Sequence, residues 1–146
     1  MPGWLKALLI VLIVVVLLVI GVVGVGVFWV MKNKDAWMAR AKEVATEAKA
    51  FGSRTDNQGC VDEGLARYKK DPGLSSVISN SVFMRACLEA SRPTSGFCDN
   101  VPKRTEFIKT AQWRMNQCRQ AGLGSDNNCQ NLFTPVQQFC QEKSSQ

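Results

Sequence analysis

The pattern of apolar and polar positions divides the chain into one long apolar run and a series of shorter amphipathic segments. From Ala7 to Met31, twenty-five residues pass without a charge, with Lys6 before them and Lys32 and Lys34 behind. At ~1.5 Å per residue such a helix is roughly 37 Å long, more than the ~30 Å hydrocarbon core of a bilayer, so it can span with some tilt. Nineteen of these residues are Val, Leu, Ile or Phe, each favouring insertion by about 0.3 to 0.6 kcal/mol. Trp4 and Trp29 stand near the two ends, where indole rings prefer the membrane interface. The run is too long for a secretory h-region, and no small-x-small cleavage site follows it, so residues 1–31 are expected to be a transmembrane signal anchor. Gly21, Gly24 and Gly26 give this helix a small surface that a partner helix can approach closely.

Behind the run, Asp35 to Phe51 is rich in Ala, Lys and Glu and lacks Pro and Gly, which predicts that the helix continues as a juxtamembrane stalk over residues 32–52 and stops at Gly52. Trp37, Ala41, Val44, Ala48 and Phe51 follow one another at steps of four and three. That seam is a candidate partner contact, or else the face that rests on the chain's own domain; two heptads are too few for a coiled coil.

Residues 53–146 are expected to form one small helical domain. With Asp56 as a cap, Cys60 to Lys70 reads as a helix with Cys60, Val61, Gly64, Leu65 and Tyr68 on one arc, ended by Asp71-Pro72-Gly73. Ser75 to Ala90 is apolar on several faces and should be central. A third helix should open at Pro102 and close at Gly122, with Phe107, Ile108, Ala111, Met115 and Cys118 as its inward stripe. Trp113 then points to the other side, as a candidate partner anchor or as cover for the stalk. A last helix collects Cys129, Leu132, Phe133, Val136, Phe139 and Cys140 on one face, with Pro135 either kinking it or restarting it behind Thr134.

The cysteines turn this series into a framework. All six lie behind the anchor, an even number in a domain of about 115 residues, which points to disulfides and an oxidising compartment such as a bacterial periplasm. Zinc would need close Cys pairs, usually with His; the chain has no His and no Cys-x-x-Cys. In an up-and-down bundle of four helices, Cys60, Cys87, Cys98 and Cys140 fall at one end and Cys118 and Cys129 at the other. Cys118 with Cys129 is then the one pair available there. At the crowded end the expected pairs are Cys87 with Cys98 across a loop, and Cys60 with Cys140 tying the first helix to the last. Cys129 and Cys140 on one continuous helix would lie about 16 Å apart, beyond the reach of a disulfide.

Charge changes the picture less. Eighteen Lys and Arg face twelve Asp and Glu, a net +6, spread along the chain without a basic tract of the nucleic-acid kind. It does create a conflict over orientation. Lys6 alone precedes the run, whereas Lys32, Lys34, Arg40 and Lys42 follow closely, and the positive-inside rule would place the carboxyl side in the cytoplasm. The cysteines argue for the opposite orientation and outweigh it, because six thiols without metal-like spacing have little reason to accumulate in a reducing compartment.

Candidate chemistry is sparse. Asp62 with Glu63 is the one adjacent acidic pair, and consecutive helical positions do not converge on one substrate atom. No phosphate-binding glycine loop, cofactor motif or metal constellation appears, and at least ten residues separate neighbouring cysteines, so a thiol-redox enzyme is not expected. The sequence therefore predicts an all-α, membrane-anchored structural or interaction protein, an accessory subunit with the bilayer and a protein in or above the same membrane as partners. The alternative is an extracytoplasmic binding module, for an apolar ligand or for an anionic envelope polymer that meets Lys103, Arg104, Arg114 and Arg119.

Overall fold

A computed structural model describes residues 2–124 and 126–145, which form helices, turns and loops without a strand. The helices are α1 (Gly3–Gly52), α2 (Asn57–Lys70), α3 (Leu74–Ala90), α4 (Phe107–Gln120), α5 (Cys129–Leu132) and α6 (Thr134–Ser144). By contacts the chain divides into two units, Met1–Arg40 and Ala41–Gln146. In the first, every Val, Leu, Ile, Phe and Trp from Leu8 to Met31 is exposed. Among the described residues, α1 is the one helix long and apolar enough to cross a membrane.

The second unit is a compact helical domain. α2 starts at Asp56, whose carboxylate accepts a hydrogen bond from the Gly59 backbone N–H at 2.9 Å, an N-cap that occupies a donor the helix itself leaves free. α2 and α3 form an antiparallel hairpin through Asp71–Gly73, and α3 contributes Val77, Phe83, Met84, Ala86, Cys87 and Leu88 to the core. Its expected central position holds, since α3 also packs against α5 and α6. Around Tyr68, Val77, Met84 and Leu132 a second, smaller cluster forms. Gly64 leaves the space that the Met84 side chain fills.

The end of α1 belongs to this core. Ala48 is fully buried, Val44, Ala45 and Phe51 pack on the cluster, and the Phe51 ring lies 5.9 Å from that of Phe83. Gly52 is needed there, because a Cβ at that position would meet the Cys87 carbonyl oxygen at 2.5 Å. Arg67 on α2 fastens the contact: it pairs with Glu47 at 2.7 Å and Glu63 at 2.8 Å, and its guanidinium lies 4.0 Å above the Phe83 ring. Hydrogen bonding to Arg67 holds the Glu47 carboxyl below its usual range.

Two expected disulfides are corrected. The bridges join Cys60 to Cys87, Cys98 to Cys140 and Cys118 to Cys129, and among the described residues no cysteine is free. The end-by-end grouping holds and so does Cys118–Cys129, but Cys87–Cys98 and Cys60–Cys140 are not formed. The reason lies in how the chain leaves α3. Asn57 and Arg92 pair through their backbones, Asn57 N–H to Arg92 C=O at 3.0 Å, and the Asn57 side chain holds Ser91 and Thr94. This draws the start of the loop onto the first turn of α2 and leaves Cys87, one turn back, opposite Cys60. Cys98 is carried further along the loop to α6, where Phe97 packs edge-on against Phe139 at 6.3 Å.

The last helix breaks where Pro135 allows. α5 ends at Leu132 and α6 begins at Thr134 with Pro135 in its first turn, and Phe133, not Thr134, occupies the cap position. The third helix starts later than expected, at Phe107 and not Pro102. The Pro102 carbonyl accepts a hydrogen bond from Gln137 Nε2 at 2.9 Å, so the residue is tied to α6, and a turn from Lys103 to Glu106 intervenes.

Candidate interaction surface

α4 is where the observed surface departs furthest from the expected one. Its first turn is held by Glu106, which accepts from the Lys103 backbone N–H at 3.1 Å and pairs with Lys109 at 2.6 Å. Three attachments then set which way it faces. Cys118 is bonded to Cys129; the Trp113 ring sits edge-on to Phe133 at 5.8 Å; and Thr110 and Arg114 both bond Gln137. These positions recur every three to four residues and define one side of the helix. Phe107, Ile108, Ala111 and Met115 are left on the solvent flank, the first two 79% and 76% exposed.

Thus the expected inward stripe is corrected for every member but Cys118. Trp113, a candidate partner anchor, lies half-buried against the core instead. The physical reason is that a buried amide recruits polar partners from α4. Gln137 is 1% exposed; its Nε2 donates to Pro102 and Thr110, and its oxygen accepts from Arg114 at 2.7 Å. An unpaired amide at that depth costs on the order of 1–3 kcal/mol, which favours the face of α4 that can satisfy it. Sequence reasoning missed Gln137, although its position, four after Phe133 and three before Cys140, repeats the inward spacing of that helix.

Arg114 gains no carboxylate among the described residues, and its Nε is buried without a partner. Burial, and secondarily the Arg104 charge, pull its pKa below the ordinary arginine value. Lys103, Arg104 and Arg119 are exposed beside the same helix, with Arg119 bonding Asn116 at 2.6 Å. The four cations named from sequence therefore do surround one element.

The other sequence-named contacts separate. Val44, Ala48 and Phe51 are used inside the domain, so of the two readings of the seam these three follow packing on the chain's own domain and not a partner contact, whereas Trp37 and Ala41 are exposed. Gly21 and Gly24 face open space. Tyr68 is buried, and its hydroxyl donates to Asp126 in the segment after α4. Burial first, and the Asp126 carboxylate second, push the phenol up to about 12, while the same bond lowers Asp126.

Two open clefts flank the loop around Phe97. One, of about 500 Å³, carries the carboxylates of Glu89, Asp99 and Glu142 beside Phe97 and Phe139. The other, of about 290 Å³, is lined by Trp113, Phe133 and uncharged polar groups. Glu89 and Glu142 are already engaged by Arg85, at 3.1 and 3.0 Å. Among the described residues no three potential metal ligands cluster. Neither a protein family, a curated protein nor a solved structure matches the chain.

Proposed function

We propose that the chain is a membrane-anchored interaction protein, an accessory subunit that presents its disulfide-stapled domain outside the cytoplasm to a partner in or above the same membrane. One contrast carries the reading: the large apolar side chains from Leu8 to Met31 all face outward, while all six cysteines behind them are paired. The first asks for a lipid solvent and the second for an oxidising compartment. Trp37, Ala41 and the open face of Gly21 and Gly24 are contacts this role leaves available.

The test is labelling of the native chain in sealed cells with an impermeant maleimide, before and after impermeant reduction. Labelling that appears only after reduction, without breaking the cytoplasmic membrane, is the expected result. Labelling that requires lysis, or release of the chain by alkaline carbonate, overturns the reading. The alternative binding module draws on the larger cleft and on the cations around α4. Purification in mild detergent separates the two, since a stoichiometric protein favours the first and a monomer carrying lipid or envelope polymer favours the second.

A further inference from the structure

Phe107 and Ile108 are the most exposed large apolar side chains of the domain, and nothing in the fold requires them to be there. Met115, 44% exposed, extends the same flank to the ninth residue from Phe107, roughly 12 Å along the helix. Single exposed apolar residues are ordinary, but a stripe at helical spacing beside charged groups is a contact surface. Its rim is cationic: Lys103 and Arg104 precede the helix, Lys109 lies within its first turn and Arg119 near its end. Glu106 is the single carboxylate on this stretch, and Lys109 holds it.

Two observations choose the occupant. A second copy of the same face would bring these cations against their own kind, which disfavours self-association. The stripe also stands open to solvent and outside both clefts, neither of which includes Phe107, Ile108 or Met115 in its lining. Side chains that stand open to solvent in this way enter a deformable apolar medium without needing a preformed pocket. Aromatic and aliphatic side chains bordered by Lys and Arg are the pattern of a helix lying in the interface of an anionic bilayer.

We infer that α4 is a peripheral membrane-docking element, seating Phe107, Ile108 and Met115 among the acyl chains while Lys103, Arg104 and Arg119 meet anionic lipid phosphates. The inference rests on the membrane-anchored reading, because that reading supplies the bilayer. Its consequence is a lipid-controlled surface: where anionic lipid is abundant, the α4 face is occupied and unavailable to other proteins.

The test keeps anchor and docking apart. The full chain is placed in nanodiscs of phosphatidylcholine alone and mixed with sucrose-loaded vesicles, either of phosphatidylcholine or containing about a third phosphatidylglycerol. Incorporation into the nanodisc reports on α1, and sedimentation with the vesicles reports on α4. The expected result is sedimentation with the anionic vesicles alone, weakened about tenfold when salt is raised from low to molar concentration, because the attraction is screened. F107S with I108S, and separately R104E with R119E, should each reduce it by about tenfold or more, with unchanged helicity and unchanged migration without reductant. Equal sedimentation with both vesicle types, or loss of neither variant's binding, overturns the inference. So does absence of vesicle binding, which would leave the stripe to a protein.

Discussion

Helices α3 and α4 lie in one domain and each is held by a disulfide near its C-terminal end, yet they treat their apolar side chains in opposite ways. α3 buries Phe83, Met84 and Leu88 almost completely, whereas Cys118 is the one residue of α4 that reaches full burial. α3 is apolar on several faces and so finds burial for most of its large side chains, although Leu74 and Ile78 stay exposed while Ser76 and Asn80 are buried. α4 is oriented by a disulfide, an edge-on aromatic contact and a buried amide, and these outweigh the gain from burying Phe107 and Ile108. An apolar stripe therefore predicts burial only where no polar group elsewhere in the fold claims the opposite face of its helix.

Phe83→Ala is expected to destabilise the domain by about 3–5 kcal/mol, because it empties a site enclosed by α1, α2 and α3, and urea unfolding followed by tryptophan fluorescence measures this. A cost under 1 kcal/mol would mean that the α3 core is not the better packed of the two. Next come the bridges. Removing Cys60 and Cys87 together opens a connection of 27 residues, worth roughly 3.5 kcal/mol by loop-closure entropy, against roughly 2.8 kcal/mol for Cys118 and Cys129, whose separation is 11. The thermal midpoints of the two double Ser variants should fall in that order. The second should also free α4, detected as faster amide exchange there than in α3.

Tyr68→Phe sharpens the link between the two regions, since Tyr68 packs with α3 and bonds Asp126 in the segment after α4. Loss of a hydrogen bond to a charged group is expected to cost about 1.5–3 kcal/mol at neutral pH. The pH dependence has a definite sign at both ends. Asp126 is lowered in the fold, so its contribution is present above the unfolded carboxylate value of about 4 and is lost as pH falls through the folded one. Tyr68 is raised to about 12, so its contribution is intact below the unfolded phenol value of about 10 and is lost as pH rises towards the folded one. The variant should flatten both limbs; parallel pH profiles would exclude the pair as the cause. Smallest of all, Phe107→Ala should change stability by no more than about 0.5 kcal/mol, and a cost near that of Phe83→Ala would show that the stripe is covered within the chain.

Legibility from sequence followed the nature of the interaction. The α2–α3 hairpin was readable because Asp56, the Asp71-Pro72-Gly73 break and the apolar periodicity act within a few residues of chain. Cys118–Cys129 was readable because it is the one pair at its end of the bundle. At the other end four cysteines compete, and the Asn57 clasp on Ser91, Arg92 and Thr94 decides among them through hydrogen bonds spanning more than thirty positions. For the surface, the cations Lys103, Arg104, Arg114 and Arg119 are legible as a group, but periodicity turns Phe107 and Ile108 inward and Trp113 outward. Periodicity locates a stripe without saying which stripe the rest of the domain will cover.

By itself the sequence determined the all-helical architecture, the apolar run from Ala7 to Met31, the positions of the helix stops and the division of six cysteines between two ends. These depend on chain-local quantities: hydropathy, capping, the fixed geometry of Pro and the length of a helix. Tertiary structure alone decided which of four cysteines meet, that the end of α1 enters the domain core through Gly52, and that α4 turns its apolar flank to solvent. Each of those outcomes balances burial against the satisfaction of polar groups far apart in the chain, and that balance exists only once the helices are packed together.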